Sequence, residues 1–191
     1  MRKIDLHCYP GTAPWIASQG PYVEALATYW KKPWVAKEEA DVVADLSTEQ
    51  GRQDMVRAVT ERTDGHIDAV VANAGLATPT AATVAVNYYG AVATLEGLRP
   101  LLLRSPNPRA VATASMASLM PVDEQLERTL LDGTPTDALE LAGKLEEAGG
   151  QTIYATTKRA LARWIRRHAA TADWAGAGIP LCVHGEVTDP A

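Results

Sequence analysis

Two side chains set four positions apart, Tyr154 and Lys158 in Tyr154-Ala155-Thr156-Thr157-Lys158, are the pair in this sequence best suited to moving a proton. On a helix, positions i and i+4 share a face, so the phenol and the ammonium point into one pocket. The cation there favours the phenolate and makes Tyr154 a usable proton donor and acceptor near neutral pH. A lone Tyr-x-x-x-Lys arises often by chance, but this one has company. Asn73-Ala74-Gly75 closes one apolar run, Asn87 follows shortly, and Ser115 closes another apolar run. A Ser, a Tyr and a Lys converging at the carboxyl ends of parallel strands suit a carbonyl/alcohol oxidoreductase.

The elements that must position these groups alternate strand and helix. Val42-Val43-Ala44 reads as a short strand ending at Asp45, and Ser47 or Thr48 as the cap of a helix to about Arg62 with Met55, Val56 and Val59 on one face. Ile67–Ala72 reads as a strand buried on both faces. A long helix from about Thr83 is bent or ended near Pro100 and finished by Pro106 and Pro108. Ala110–Ala114 is the next buried strand. Residues 123–150 read as an acidic helical stretch with Leu126, Leu130, Leu131, Leu139, Leu141 and Leu145 as apolar positions. A helix bearing Tyr154 and Lys158 runs to about Thr171, and Ile179–Val183 is a last strand. Strands separated by helices of this length imply βαβ units and a parallel sheet.

Composition narrows the class further. The 191 residues suffice for one domain with a real core, and the chain is 47% hydrophobic and 21% charged with a net charge of −5. That mild acidity argues against a nucleic-acid or membrane-surface partner. The nearest thing to a basic stripe, Lys158, Arg159, Arg163, Arg166 and Arg167, reads as the solvated face of a helix. No apolar stretch approaches the ~18 residues of a membrane span, and the N-terminus lacks a signal-peptide pattern. Cys8 and Cys182 stand far apart without metal-ligand spacing, which fits reduced thiols and a cytoplasmic location.

Residues 41 to about 181 resemble the short-chain dehydrogenase/reductase family. Asp45-Leu46 matches the acidic-Leu pair after the third strand, beside the cofactor adenine. Asn73-Ala74-Gly75 matches the Asn-Ala-Gly motif that supports the central sheet and the cofactor ribose. Asn87 matches the Asn that holds a water beside the catalytic Lys. Ser115 matches the Ser that binds the substrate oxygen, and Tyr154 with Lys158 matches the catalytic pair. The stretch between Ser115 and Tyr154 is longer than most of the family uses. Its acidic helical insert is similar to that of bacterial 3α-hydroxysteroid dehydrogenase/carbonyl reductases, where it would cover a helix face that other members use for oligomer contacts.

The resemblance implies a single Rossmann-like α/β domain over 1–191, a three-layer parallel sheet flanked by helices. It is expected to be truncated, lacking the glycine-rich first βα turn that receives a cofactor pyrophosphate and the last strand. Residues 1–40 form an atypical segment, with Pro21 opening a helix Tyr22–Lys31, with Trp15, Trp30 and Trp34 as apolar area, and with Ile4–Cys8 available to fill the slot of the first strand. The ends have a second resemblance. Lys3–Gly11 is similar to the first strand of metal-dependent amidohydrolases, and Val183–Pro190 to a dihydroorotase strand. A hydrolase would use His7, His184 and a carboxylate among Asp5, Glu186 and Asp189, which falls short of a convincing zinc ligand set.

The leading expectation is therefore an NAD(P)-dependent enzyme interconverting a secondary alcohol and a ketone, with a catalytically inactive remnant of the fold as the alternative. Tyr154 donates the proton, Ser115 holds the carbonyl oxygen, Lys158 binds the ribose, and Asn87 positions a relay water. By resemblance the substrate is a steroid or another bulky carbonyl compound, the cofactor NAD rather than NADP, and a homodimer is possible. No metal is required.

Overall fold

The computed structural model describes residues 44–185. The expectations for Val42-Val43, for residues 1–40 and for Glu186 and Asp189 lie outside these residues. Among the described residues three parallel strands form a sheet, β1 (Ala69–Ala72), β2 (Arg109–Thr113) and β3 (Leu181–His184), in that spatial order. Register pairs Val70 with Ala110 and Ala110 with Leu181. Each strand adds on the same side of the last, so right-handed crossovers bring the connecting helices to one face of the sheet.

Helix α1 (Glu49–Arg62) begins where the sequence places it, because the Thr48 hydroxyl accepts the Gly51 N–H at 3.0 Å. Helix α2 starts at Ala81, widens into a π turn over Ala85–Gly90, and continues as α3 (Ala91–Leu102). Pro100 sits in its last turn, so the helix runs two residues past the expected break. After β2, a 3₁₀ turn (Met116–Leu119) leads to α4 (Glu124–Asp132), α5 (Pro135–Glu147) and α6 (Ile153–Ala169).

The core is Met55 and Val59 of α1, Leu95, Leu98 and Leu102 of α3, Val70, Ala72, Ala110 and Ala112 of the sheet, and Leu161 and Ile165 of α6. Expected burial on both faces of β1 is not found. Val71 is 45% exposed, and its register partners Val111 and Cys182 are half-buried and exposed. Among the described residues the packed helices reach the Val70–Ala72 side, and side chains of alternate parity point away from them. In the insert, Leu126 and Leu130 are buried as expected, but in α5 the fully buried positions are Ala138 and Ala142 while Leu139 stands 36% exposed. Positions 138 and 142 share a face, and small residues there let α5 lie close against its neighbours.

Arg163, Arg166 and Arg167 of α6 are exposed, as a solvated face requires, but two of them also carry ion pairs to the insert. Arg163 pairs with Glu127 at 3.2 Å and Arg167 with Asp132 at 2.7 Å, and the Glu127 side chain is only 6% exposed. Arg163 and Arg167 of this exposed face also mark where the insert sits. The insert is tied down at both ends. The Asp123 N–H donates to the Thr156 hydroxyl at 3.0 Å, and Glu146 accepts the Ala81 N–H at 2.8 Å, capping α2. Gly150 has φ +62°, and a Cβ there would run into the Pro79 carbonyl, so glycine is required on both counts.

Gly97 brings α3 against α1, since a Cβ at that position would strike the Val56 side chain. A β-branched residue has little rotamer freedom with which to yield. Gly97→Ala should therefore destabilise the protein by about 1–3 kcal/mol through overpacking, outweighing the ~1 kcal/mol that alanine gains over glycine in a helix. Urea denaturation checks this, and a more stable variant would contradict the close packing. A second expectation concerns alkali. Burial pushes the Tyr89 phenol from 10.0 up to about 12 and moves Tyr88, packed edge-to-face against it at 5.2 Å, in the same direction. The neutral phenols thus contribute stability in full below pH 10, and that contribution is lost as the pH climbs from about 10 towards 12. Thermal melts across that range should fall more steeply for the natural protein than for Tyr89→Phe.

Candidate active site

The sheet sets the site because β1 and β2 end in register. Ala72 pairs with Ala112, which brings Asn73 beside Thr113. The Thr113 hydroxyl donates to Asn73 Oδ1 at 2.7 Å. On the other side, the Ala114 N–H donates to the His184 carbonyl at 2.8 Å. Gly185 then passes against Ala114, and a Cβ on it would lie 3.5 Å from the Ala114 carbonyl oxygen.

Asn87 is fully buried within the π turn. Its side-chain amide clamps the chain after Gly75. Oδ1 accepts the Leu76 N–H at 2.7 Å, and Nδ2 donates to the Leu76 carbonyl at 2.9 Å and to Thr157 Oγ1 at 3.4 Å. A π turn shifts the phase of a helix locally, and such turns recur at functional sites. Gly75 itself lies against this cluster. A Cβ on it would sit 3.3 Å from Asn87 Oδ1 and 3.6 Å from Lys158 Nζ.

Tyr154 and Lys158 occupy the first turns of α6. Tyr154 is half-buried and Lys158 only 4% exposed. The Lys158 ammonium donates to the Thr113 carbonyl at 2.8 Å and stands 5.8 Å from the centre of the Tyr154 ring, within cation–π range. Between them, the Thr157 hydroxyl donates to the Tyr154 carbonyl at 2.7 Å. Ser115 follows β2 and caps the 3₁₀ turn, its Oγ accepting the Ala117 N–H at 3.2 Å. That bond uses the oxygen as an acceptor and leaves its O–H available to donate.

Gly75, Asn87 and Lys158 are thus brought together, Asn73 joins them through Thr113, and Tyr154 lies beneath Lys158. Ala74, partly exposed, links Asn73 to Gly75. Asp45 and Leu46 belong to the loop before α1. Asp45 Oδ1 accepts from the Ser47 hydroxyl at 2.6 Å and the Ser47 N–H at 2.9 Å, and these two bonds, in that order, hold its carboxyl below the usual range. Leu46 gives its carbonyl to Arg52 at 3.0 Å and lies against Gly90. His184 ends β3 in an exposed position, and His7 and Asp5 lie outside the described residues.

The sequence reading overlooked Thr113 and Thr157 and assigned Arg159 only to the solvated face of its helix. Arg159 donates from Nε to the Ser118 carbonyl at 2.6 Å and from Nη2 to the Met120 carbonyl at 2.8 Å. The one available signal was their adjacency to Ser115 and Lys158. No helix among the described residues is long and apolar enough to cross a membrane.

Comparison with known proteins agrees with this geometry. Residues 21–126 match the short chain dehydrogenase family. A 3-alpha-hydroxysteroid dehydrogenase/carbonyl reductase of Comamonas testosteroni is 34% identical over 148 residues, covering 75% of this chain and 57% of that protein. The chain therefore spans little more than half of that relative's length. The 3-alpha-hydroxysteroid dehydrogenase of Pseudomonas sp. B-0831, solved with NADH, is 34% identical with a TM-score of 0.67, over 86% of this chain and 66% of that one. A short-chain dehydrogenase of Streptomyces avermitilis shares the fold at 17% identity and a TM-score of 0.52, over 84% of this chain and 50% of that one. On sequence, strand order and helix placement alike, the chain belongs to the short chain dehydrogenase family.

Proposed function

We propose that this chain is a nicotinamide-dependent oxidoreductase that interconverts a secondary alcohol and a ketone with a bulky apolar body. The observation that carries the reading is the buried Lys158 ammonium, held at the end of β2 and set over the Tyr154 ring. A fixed positive charge in a water-poor site stabilises negative charge developing on the phenol oxygen.

The residues present fit a nicotinamide dinucleotide. Gly75 leaves bare backbone beside Asn87 and Lys158, a cradle that a Cβ would fill. An ammonium and an amide there are suited to sugar hydroxyls. Asn73, Ala74, Gly75 and Lys158 would hold the nicotinamide side, and Asp45 with Leu46 the adenine. The cofactor, when bound, supplies a hydride to the carbonyl carbon. The chain's own residues do the rest. The Ser115 hydroxyl donates to the substrate oxygen and orients it, and the Tyr154 phenol hands that oxygen its proton. Lys158 holds Tyr154 in place, and Asn87 fixes the loop after Gly75. Met116, Leu119 and Met120, exposed by 69%, 50% and 58%, form an apolar rim next to Ser115. Such a rim suits a ring system or alkyl body, and methionine adapts to several shapes. The 3-alpha-hydroxysteroid relatives, one solved with NADH, support a steroid-like substrate and NAD.

Ketone reduction with NADH tests the reading. Tyr154→Phe should lower kcat by ~10²–10⁴ with the fold intact, since it removes one hydroxyl with an acid/base role. Retention of most activity would sink the assignment. Lys158→Ala should weaken both NADH binding and rate. The sequence has no glycine-rich turn for the pyrophosphate, so NADH affinity should also be low. Each charge-assisted hydrogen bond forgone is worth ~1.5–3 kcal/mol, so losing two moves a dissociation constant from the ~1 μM range into the ~1 mM range. Fluorescence titration of the tryptophans measures it. Micromolar binding would show that phosphate donors come from elsewhere in the chain, and no binding at several millimolar would leave a non-catalytic member of the fold.

A further inference from the structure

We infer that Arg159 is a positioning residue, which holds Ser115 in register with Tyr154 and Lys158 by tying the turn after β2 to the helix that carries the catalytic pair. The inference rests on the proposed reaction for its meaning, but the tie itself is independent of it. Arg159 follows Lys158 on α6, and its guanidinium takes two carbonyls from one short segment, Ser118 at 2.6 Å and Met120 at 2.8 Å. That segment is the 3₁₀ turn Met116–Leu119 with its caps, Ser115 before it and Met120 after it. Ser115 is built into the turn by two bonds, and a third closes the turn behind it. Its Oγ accepts the Ala117 N–H at 3.2 Å, its carbonyl accepts the Ser118 N–H at 2.9 Å, and the Met120 N–H closes on Ala117 at 3.0 Å. Moving the turn therefore moves Ser115.

The turn needs an external tie. A 3₁₀ turn has poor hydrogen-bond geometry and rarely persists alone. Here Met116, Leu119 and Met120 face solvent, and Ser118, 2% exposed, is the buried side chain of the turn. Arg159 supplies the missing constraint with a planar, forked group that accepts little change of direction. A lysine could reach one carbonyl but cannot span two with fixed geometry. Because Arg159 and Lys158 are consecutive on α6, the hydroxyl of Ser115 and the phenol of Tyr154 take their positions from one rigid body. Arg159 itself faces the backbone of the turn, so it acts through Ser115.

The test uses the full chain carrying Arg159→Met, which keeps the length of the side chain and removes its donors, with Arg159→Lys as partial rescue. Amide exchange at Ala117, Ser118 and Met120 should quicken by about tenfold or more, while exchange in α1 stays unchanged. In ketone reduction, kcat should fall by about tenfold or more with the KM for NADH unchanged, because small misplacements of a reacting group are costly. In a Ser115→Ala background the same substitution should change kcat by less than about twofold, the signature of two residues acting as one. Unchanged exchange in the turn overturns the inference. So does an equal loss of kcat in both backgrounds, which would mean direct contact with substrate or general destabilisation. A wild-type chain without turnover would defeat the proposed reaction alone, and amide exchange would still decide whether Arg159 holds the turn.

Discussion

The bond from the Lys158 ammonium to the Thr113 carbonyl is the contact on which the arrangement turns. A charged group that is 4% exposed is stable only if its donors are used, since an uncompensated buried charge costs several kcal/mol. The requirement fixes the rotation of α6 about its axis and its height above β2. With those set, Tyr154 lies one turn back towards the start of the helix, Thr157 faces Asn87, and Arg159 meets the turn after Ser115. Strand end, π turn and helix are thus keyed to one nitrogen atom.

The insert serves the same keying from the other side. Surface ion pairs are worth little singly, and Arg167 with Asp132 belongs to that class. Glu127 with Arg163 differs because its carboxylate is buried, so removing Arg163 would strand a charge. Hydrogen bonds at Thr156 and Ala81 then link the two ends of the insert to the helix of Tyr154 and to the helix of Asn87. The insert bridges the two elements that supply the polar residues of the site, and its inward side combines Leu126 and Leu130 with small residues and a paired charge.

Much of this was legible in order and spacing. Asn73-Ala74-Gly75, Ser115, Tyr154 and Lys158 stand at strand ends and a helix start that apolar periodicity locates well, and Ser47 or Thr48 announces a cap that Thr48 makes. The remainder depended on contacts between residues far apart in sequence, to which periodicity is blind. Arg163 gives no sign of its Glu127 partner until α4 is placed beside it, and Val71 reads as core until the connecting helices among the described residues are found on one face of the sheet. Thr113 gave no sign that its carbonyl would receive an ammonium, since every residue has a carbonyl. The π turn was invisible for a related reason: Ala85–Gly90 has ordinary helix-compatible composition, and its widening becomes apparent only from the backbone.

That widened turn bears on how this chain can vary over generations. A residue in a helix advances about 100° around the axis, so a π turn is in effect one residue inserted into an otherwise regular helix. Loss of any single codon between Ala85 and Gly90 would let the helix close into a uniform α-helix, with backbone bonding as good as before. The widened turn absorbs its extra residue locally, so both flanks would keep their phase on the sheet, and only the residues within the turn, Asn87 among them, would be rotated. A lineage could therefore keep the fold and lose the alignment of Asn87 in one in-frame deletion, a change that substitution-based comparison of sequences would score as trivial.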